Sequence, residues 1–334
     1  MNIYDVSKKA EVSIATVSRV LNGNPNVSEK TRTHVLQVME ELGYQPNVFA
    51  RGLGLNTMKT IGIMCTDSSD LYLANAIYYL ERDLRANGYD SILCCTGYEL
   101  ETKQKYFELL CSKRVDALIL AGSKFVEMKA KDNAYILDGA EKLPIMLVNG
   151  FLEGPNIYST VCDDRAAMHQ AAAKLIKSGR KRILYLYTSI SYSGNNKLQG
   201  YKDALLGVGF IPDPSYIRQC PRDIMAAKEL LLLLWQEGMK FDAVLTSSDA
   251  LAAGAVKFAL EANLRIPQEL SIIGYNNSIL ARCTTPELTS IDSKIEALCT
   301  TTINTLMGVF SGGNVPSRTT LAADLIKRET TDFL

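Results

Sequence analysis

Histidine is scarce in this chain of 334 residues, occurring only at His34 and His169. Both positions lie in stretches that read as helices, and we expect each side chain to have a structural role. The chain also lacks the Gly-x-Ser-x-Gly, Gly-x-x-x-x-Gly-Lys-Ser/Thr and strand-linked Gly-x-Gly-x-x-Gly motifs. Because nothing places a nucleophile beside a base, the sequence argues against an enzyme.

Long apolar runs are missing as well. No run approaches the roughly 20 residues that a membrane-spanning helix needs. The polar amino-terminal segment does not have the pattern of a signal peptide. We therefore expect no membrane partner and a location in the cytoplasm.

The cysteines lack metal-binding spacing. None of the eight belongs to a Cys-x-x-Cys pair or a Cys/His cluster, so we expect neither a metal nor a cofactor. Cysteines scattered through apolar runs are typical of buried, reduced thiols. The adjacent pair Cys94-Cys95 leaves redox sensitivity open.

Residues 1–45 predict three helices around a tight turn. Apolar residues recur at helical spacing from Ile3 to Ala10, and Ser13 and Ser28 are placed to cap the second and third helices. The segment 22–25, Asn-Gly-Asn-Pro, ends the second helix. This order matches the helix-turn-helix pattern, in which the second helix lies in the DNA major groove.

The outward face of the second helix is small, polar or basic. Small side chains let the backbone approach base edges, and Arg19 can donate two hydrogen bonds to a guanine. An ordinary three-helix core is the alternative. Residues 1–53 contain six Lys or Arg against five Asp or Glu, so a single head should bind DNA weakly. Two heads in a dimer would add their contacts.

Two segments carry a family resemblance: YDVSKKAEVSIATVSRVLNGNPNVSEKTR (4–32) and ELGYQPNVFARGL (41–53). They resemble the amino-terminal signature of the LacI/GalR family of bacterial transcription regulators. The match is nearly unbroken over residues 3–53 and looser beyond. It implies a repressor that binds double-stranded operator DNA as a homodimer and senses a small, carbohydrate-like effector. A binding protein of a transport system is the rival interpretation.

The resemblance also implies a set of DNA contacts and a hinge. In the hinge, Asn47 and Ala50 would lie at the minor groove and Leu53 would wedge between base pairs. An effector that changes lobe closure would then change operator affinity, in a direction that the sequence leaves open. The expected DNA-binding residues are Tyr4, Ser13, Ile14, Ala15, Thr16, Ser18, Arg19, Asn22, Ser28, Thr31, Tyr44, Asn47, Ala50 and Leu53.

Beyond residue 60, strand-like and helix-like stretches alternate, which predicts an α/β fold with doubly wound parallel sheets. Strands are expected at 61–65, 91–95, 117–121, 145–149, 183–187, 243–247 and 270–274. Helices are expected at about 71–87, 101–113, 164–178, 196–208, 223–237 and 249–262.

The expected domain organisation follows from this alternation and from the resemblance, which implies two lobes like those of a periplasmic sugar-binding protein. Ligands of such sheets bind beyond the carboxyl ends of the strands, so the cleft between the lobes is the expected pocket. The expected parts are a helix-turn-helix head (1–45), a hinge helix and linker (46–60), a first lobe (61–160 plus about 291–322) and a second lobe (161–290 plus about 323–334).

By the same resemblance, seven residues are expected to bind the effector. Tyr72 has a second possible role in packing, and Asp163 and Asp249 in capping helices. Lys197 stands where the family commonly has arginine, and Asn276 where it has aspartate. These departures leave an unusual sugar, an acidic or phosphorylated compound and a protein co-regulator all open. The seven residues are Ser69, Tyr72, Asn149, Asp163, Lys197, Asp249 and Asn276.

Overall fold

The computed structural model describes residues 1–44 and 57–333. Two compact units are present: residues 1–60 with 113–116, and residues 61–112 with 117–334. The predicted hinge contacts Asn47, Ala50 and Leu53 lie outside the described residues. No helix in the described part of the chain is long and apolar enough to cross a membrane.

The first unit contains the three predicted helices, α1 (Ile3–Lys9), α2 (Ile14–Leu21) and α3 (Glu29–Glu41). The hydroxyls of Ser13 and Ser28 cap α2 and α3, as the sequence predicted, by accepting bonds from the backbone amides three residues later. Asn2 caps α1. The helix-turn-helix is held by a small apolar core, in which the buried side chains are Val6, Ala10, Val17, Val20, Val35, Val38 and Met39.

The first lobe of the larger unit is built on a six-stranded sheet of order β11-β5-β4-β3-β1-β2. The strand pairs with described register are parallel. The strands are β1 (Thr60–Cys65), β2 (Asp90–Cys95), β3 (Ala117–Ala121), β4 (Ile145–Val148), β5 (Ile157–Cys162) and β11 (Arg318–Leu321). The helices of this lobe are α4 (Leu71–Ala86), α5 (Leu100–Ser112), α6 (Ala134–Ala140) and α12 (Ile295–Phe310).

The second lobe is built on a six-stranded sheet of order β12-β10-β9-β8-β6-β7, in which β12 runs antiparallel to β10. Its strands are β6 (Ile183–Tyr187), β7 (Ile217–Gln219), β8 (Ala243–Thr246), β9 (Ser271–Tyr275), β10 (Thr289–Asp292) and β12 (Asp324–Ile326). Its helices are α7 (Asp164–Lys177), α8 (Tyr192–Leu206), α9 (Ile224–Gln236), α10 (Asp249–Glu261) and α11 (Leu280–Cys283).

Two of the three predicted boundaries between the lobes fall inside strands. Val161 and Cys162 pair with β11 of the first sheet, although the sequence placed them in the second lobe. Ile291 pairs with Tyr275 of the second sheet, although it was placed in the first lobe. The chain therefore crosses after Cys162 and again after Asp292. It crosses a third time between β11 and β12.

The predicted strands and helices are present, with one shifted start. Helix α8 begins at Tyr192, four residues before the predicted position, because the Ser191 hydroxyl accepts a bond from the Gly194 amide and caps it there. The glycine and asparagines of its first turn are typical of loops and concealed the helix. The sequence did not predict β5, β7, β10, β11, β12, α6, α11 or α12.

Candidate functional site

The outward face of α2 is exposed and largely free of internal contacts. Ile14, Ala15 and Arg19 are exposed, and no carboxylate of a described residue pairs with Arg19. The side chains of Ser18 and Asn22 lie close to each other, with Asn22 Nδ2 3.5 Å from Ser18 Oγ. Ile14, Ala15 and Arg19 can therefore meet a partner without breaking bonds within the head.

Other predicted DNA-binding residues of the head lie around this helix. Tyr4 projects from the start of α1 and is 67% exposed. Tyr44 packs partly against the apolar core of the head. The hydroxyl pairs Ser13–Thr16 (2.9 Å) and Ser28–Thr31 (2.8 Å) are bonded to each other at helix starts, where backbone amides also point outward and suit phosphate oxygens.

The second candidate site is the cleft between the two lobes. It is lined by the residues that follow the strands of both sheets, the position expected for a ligand of such folds. These residues are Thr66 after β1, Gly122 after β3, Asn149 after β4, Thr188 after β6, Ser247 after β8 and Asn276 after β9.

The cleft contains two adjoining cavities. The inner cavity has a volume of about 70 Å³ and is lined among others by Asn149, Ser193 and Lys197. The outer cavity has about 390 Å³ and is lined among others by Asp67 and Asp249. Residues common to both are Asp70, Tyr72, Tyr98, Lys124, Thr188, Arg222 and Asn276.

Six of the seven predicted effector residues line these cavities. Asp163 does not. Its carboxylate accepts a bond from the Ala166 amide and caps α7, which is the structural alternative that the sequence left open.

Tyr72 combines the two roles considered for it. It lies in the first turn of α4, where its backbone amide donates to Asp70 Oδ1 at 2.8 Å. Its side chain lines both cavities, and its buried hydroxyl has no hydrogen-bond partner among the described residues. Burial raises the pKa of Tyr72 well above its ordinary value, so the hydroxyl remains a donor.

Asn149 links the lobes at the base of the inner cavity. Its Oδ1 accepts a bond from the Cys162 amide, and its Nδ2 lies 3.4 Å from Ser193 Oγ of the second lobe. The Ser123 and Ser191 hydroxyls form a second bond between the lobes at 2.8 Å. The two lobes are therefore in direct contact around the cavity.

Lys197 is buried in the wall of the inner cavity. Its Nζ lies 3.6 Å from the centre of the Tyr275 ring and 3.5 Å from the Ser247 carbonyl oxygen. The Tyr275 hydroxyl donates to the buried Asp164 carboxylate at 2.5 Å. Burial lowers the pKa of Lys197 because water no longer solvates its ammonium group.

A glycine allows the helix of Lys197 to reach this position. At Gly200, a Cβ atom would collide with the Arg165 carbonyl oxygen of α7. Helices α7 and α8 therefore approach through a position that only glycine fits.

Asp249 lines the outer cavity with both of its oxygens already bonded. Oδ1 accepts from the Ser290 hydroxyl and Oδ2 from the Ser278 amide, each at 2.6 Å. Burial raises the pKa of Asp249. Its role in the structure is to hold the loop that follows β9, in which Asn276 has a φ of 93°.

Sequence reasoning missed the charged residues Asp70, Lys124 and Arg222. Arg222 pairs with Asp70 across the cleft, and Lys124 Nζ lies 4.1 Å from the centre of the Tyr98 ring. Burial lowers the pKa of both Lys124 and Arg222. Their sequence neighbourhoods show no pattern, because each acts through residues that are distant along the chain.

Two family descriptions match this chain. Residues 2–47 match "Bacterial regulatory proteins, lacI family". Residues 58–329 match "Periplasmic binding proteins and sugar binding domain of LacI family". The two matches together cover both units of the structure.

Known proteins resemble the chain over its full length. An HTH-type transcriptional regulator of Lachnoclostridium phytofermentans is 61% identical, covering 100% of both chains. The HTH-type transcriptional regulator AscG of Escherichia coli is 31% identical, covering 98% of this chain and 97% of that protein. In fold, a crystal structure of the Lac repressor dimer bound to operator and the anti-inducer ONPF matches with a TM-score of 0.89 at 24% identity, covering 99% of this chain and 98% of that one.

Proposed function

Because this chain belongs to the LacI family of bacterial regulatory proteins, we propose that it represses transcription by binding operator DNA, and that a small polar effector in the cleft controls this binding. The observation that carries the proposal is that one chain has both an exposed α2 face and a polar cavity at the strand ends of both sheets. The protein is a transcriptional regulator of the HTH type, as its relatives are.

We propose that DNA recognition divides between two groups of residues. Exposed α2 residues, with Arg19 foremost, read base edges. The starts of α1 and α3, with Tyr4, Ser28 and Thr31, position the phosphates. Residues 46–60, the proposed hinge, add minor-groove contacts through Asn47, Ala50 and Leu53. The weak charge of one head makes a homodimer necessary for tight binding.

Effector control follows from the contacts between the lobes. A ligand changes the population of closed and open lobes only by binding one arrangement more tightly. The cavity walls come from both lobes, so a ligand that touches Tyr72 or Asn149 and also Lys197 distinguishes the two arrangements. We infer that the hinge passes this difference to the heads. The protein therefore acts as a cytoplasmic binding switch without catalytic chemistry.

The test is selection of operator sequences from a random DNA pool with the purified full-length protein. We expect a palindromic sequence bound by two copies, with affinity that falls steeply as salt rises. A selected pool without sequence preference would contradict the proposal. Fluorescence anisotropy on the selected operator then measures whether candidate effectors raise or lower affinity.

A further inference from the structure

Positive charge predominates around the inner cavity. Lys124, Lys197 and Arg222 line it against a single carboxylate, Asp70. That carboxylate is committed, because it pairs with Arg222 and also caps α4. The two lysines have no carboxylate oxygen within 4.0 Å among the described residues. The inner cavity therefore has two ammonium groups that no carboxylate contacts directly; Asp164 acts on Lys197 and Asp67 on Lys124 only from beyond ion-pair distance.

Lys197 shows this imbalance most clearly. Its side chain is 7% exposed, and burying an ammonium without a counter-charge is strongly unfavourable. Of its three N–H donors, one faces an acceptor, the Ser247 carbonyl oxygen, at the long distance of 3.5 Å. Asp164, the carboxylate that acts most strongly on Lys197, lies beyond ion-pair distance, and its Oδ1 accepts the bond from the Tyr275 hydroxyl. A negatively charged group that contacts the Lys197 ammonium would therefore have to be a ligand in the cavity.

The start of α8 adds to the positive field at the same place. Ser191, Ser193 and Gly194 line the inner cavity at the amino terminus of this 15-residue helix, one turn before Lys197. Backbone amides and the helix dipole favour an anion there. Helix dipole and buried ammonium thus point to the same kind of ligand group.

Apart from Asp70, which lines both cavities, the carboxylates of the cleft line only the outer cavity, where they are already bonded. Asp67 accepts bonds from the Ser69 amide and hydroxyl, at 2.9 and 2.6 Å. Asp249 is held by Ser290 and Ser278. Neither carboxylate lines the inner cavity. The two cavities therefore differ in charge: Lys197 lines only the inner one, Asp67 and Asp249 line only the outer one, and Lys124, Arg222 and Asp70 line both.

We propose that the effector is an anionic compound whose carboxylate or phosphate group occupies the inner cavity at Lys197. Its uncharged, hydroxyl-bearing remainder fills the outer cavity. One water occupies about 10–15 Å³ on the same scale, so 70 Å³ suits a single acidic group. The outer cavity, at 390 Å³, is within the range of small-molecule sites. This inference rests on the proposed function and specifies its ligand.

The test is thermal unfolding of the full chain in phosphate, acetate or chloride at equal ionic strength. Phosphate and acetate represent the two sources of the acidic group. At about ten times its dissociation constant, a bound anion should raise the melting temperature by about 2 °C or more over chloride. Lys197→Met should lose this rise, whereas Lys197→Arg should keep it. The exposed Lys257→Met of α10 is the matched control and should respond like the wild type.

Two results would overturn the proposal: equal melting temperatures in all three salts, or the same rise in Lys197→Met as in the wild type. Because methionine is an unbranched apolar side chain of similar length that carries no charge, Lys197→Met should not melt below the wild type in chloride. Operator binding in chloride separates this inference from the proposed function. If the protein binds its operator but its melting temperature does not respond to anions, only the ligand class is refuted. If the wild type shows no operator preference, the proposed function is refuted.

Discussion

Arg222 and Asp70 form an ion pair that joins the two lobes across the cleft. Asp70 lies at the start of α4, where its Oδ1 also accepts bonds from the Tyr72 and Leu73 amides. One carboxylate thus caps a helix of the first lobe and holds a side chain of the second. We therefore expect this pair to favour the closed arrangement of the lobes when no effector is bound.

Asp70→Asn should weaken closure while keeping the helix cap, because the asparagine Oδ1 still accepts the amide bonds. We expect closure to become less favourable by about 1 kcal/mol, because the Arg222 side chain is 38% exposed and water partly solvates it once the pair is lost. Small-angle scattering should show a larger radius of gyration without effector. Asp203→Asn removes the Arg165–Asp203 pair within the second lobe and is the control. An unchanged radius in Asp70→Asn would rule out the closure role.

Arg19→Ala should weaken binding to the selected operator by about 1–3 kcal/mol and relax the preference at one base pair. The reason is that exposed Arg19 has no carboxylate partner among the described residues and is available for a base edge. Anisotropy on single-base variants of the operator measures both effects. An equal loss on every sequence would assign Arg19 to phosphate binding instead.

Leu53→Ala tests the hinge proposed for residues 46–60. If Leu53 is the wedge, its loss should reduce both operator affinity and DNA bending, while salt-dependent non-specific binding persists. Bending is measured by fluorescence transfer between the ends of the operator. If Leu53 instead anchors the linker to the first lobe, the mutation should lower the melting temperature of the DNA-free protein and leave bending intact.

Lys197 should make stability depend on pH. Its pKa is lowered by burial from the ordinary 10.5, so the folded protein loses this proton at a lower pH than the unfolded chain does. As pH rises through the window below 10.5, the unfolded state binds more protons and the free energy of unfolding increases. In urea unfolding from pH 7 to 10, the free energy of unfolding of the wild type should increase relative to that of Lys197→Met. A difference between wild type and Lys197→Met that stays constant with pH would contradict the burial of a charged Lys197.

Gly200→Ala should cost about 1–3 kcal/mol of stability, because its methyl group collides with the Arg165 backbone of α7. It should also shift Lys197 and weaken effector binding. Gly207→Ala at the end of the same helix is the control, since its nearest neighbour lies at 3.3 Å from the added Cβ and φ is −61°. Equal melting temperatures for the two variants would show that the α7–α8 approach tolerates a side chain.

Much of the fold could be predicted because its signals are local. Helix α2 follows from the Ser13 cap and the spacing of Val17 and Val20, which are fixed within two turns of chain. The inner strands are continuous apolar runs because both faces of a parallel sheet are covered. By contrast, β12 has three residues and forms only by pairing with β10, so no local pattern marks it.

The cleft shows the same division between local and long-range information. Lys197 and Asn276 could be expected from sequence because the family resemblance aligns them with ligand-facing positions on a helix and after a strand. The Asp70–Arg222 pair joins residues about 150 positions apart, and the cationic inner cavity depends on which carboxylates are already bonded. Only the tertiary structure decided these features. The electrostatic field at a site is the sum of charges that folding brings together, and no repeating pattern in the sequence reports that sum.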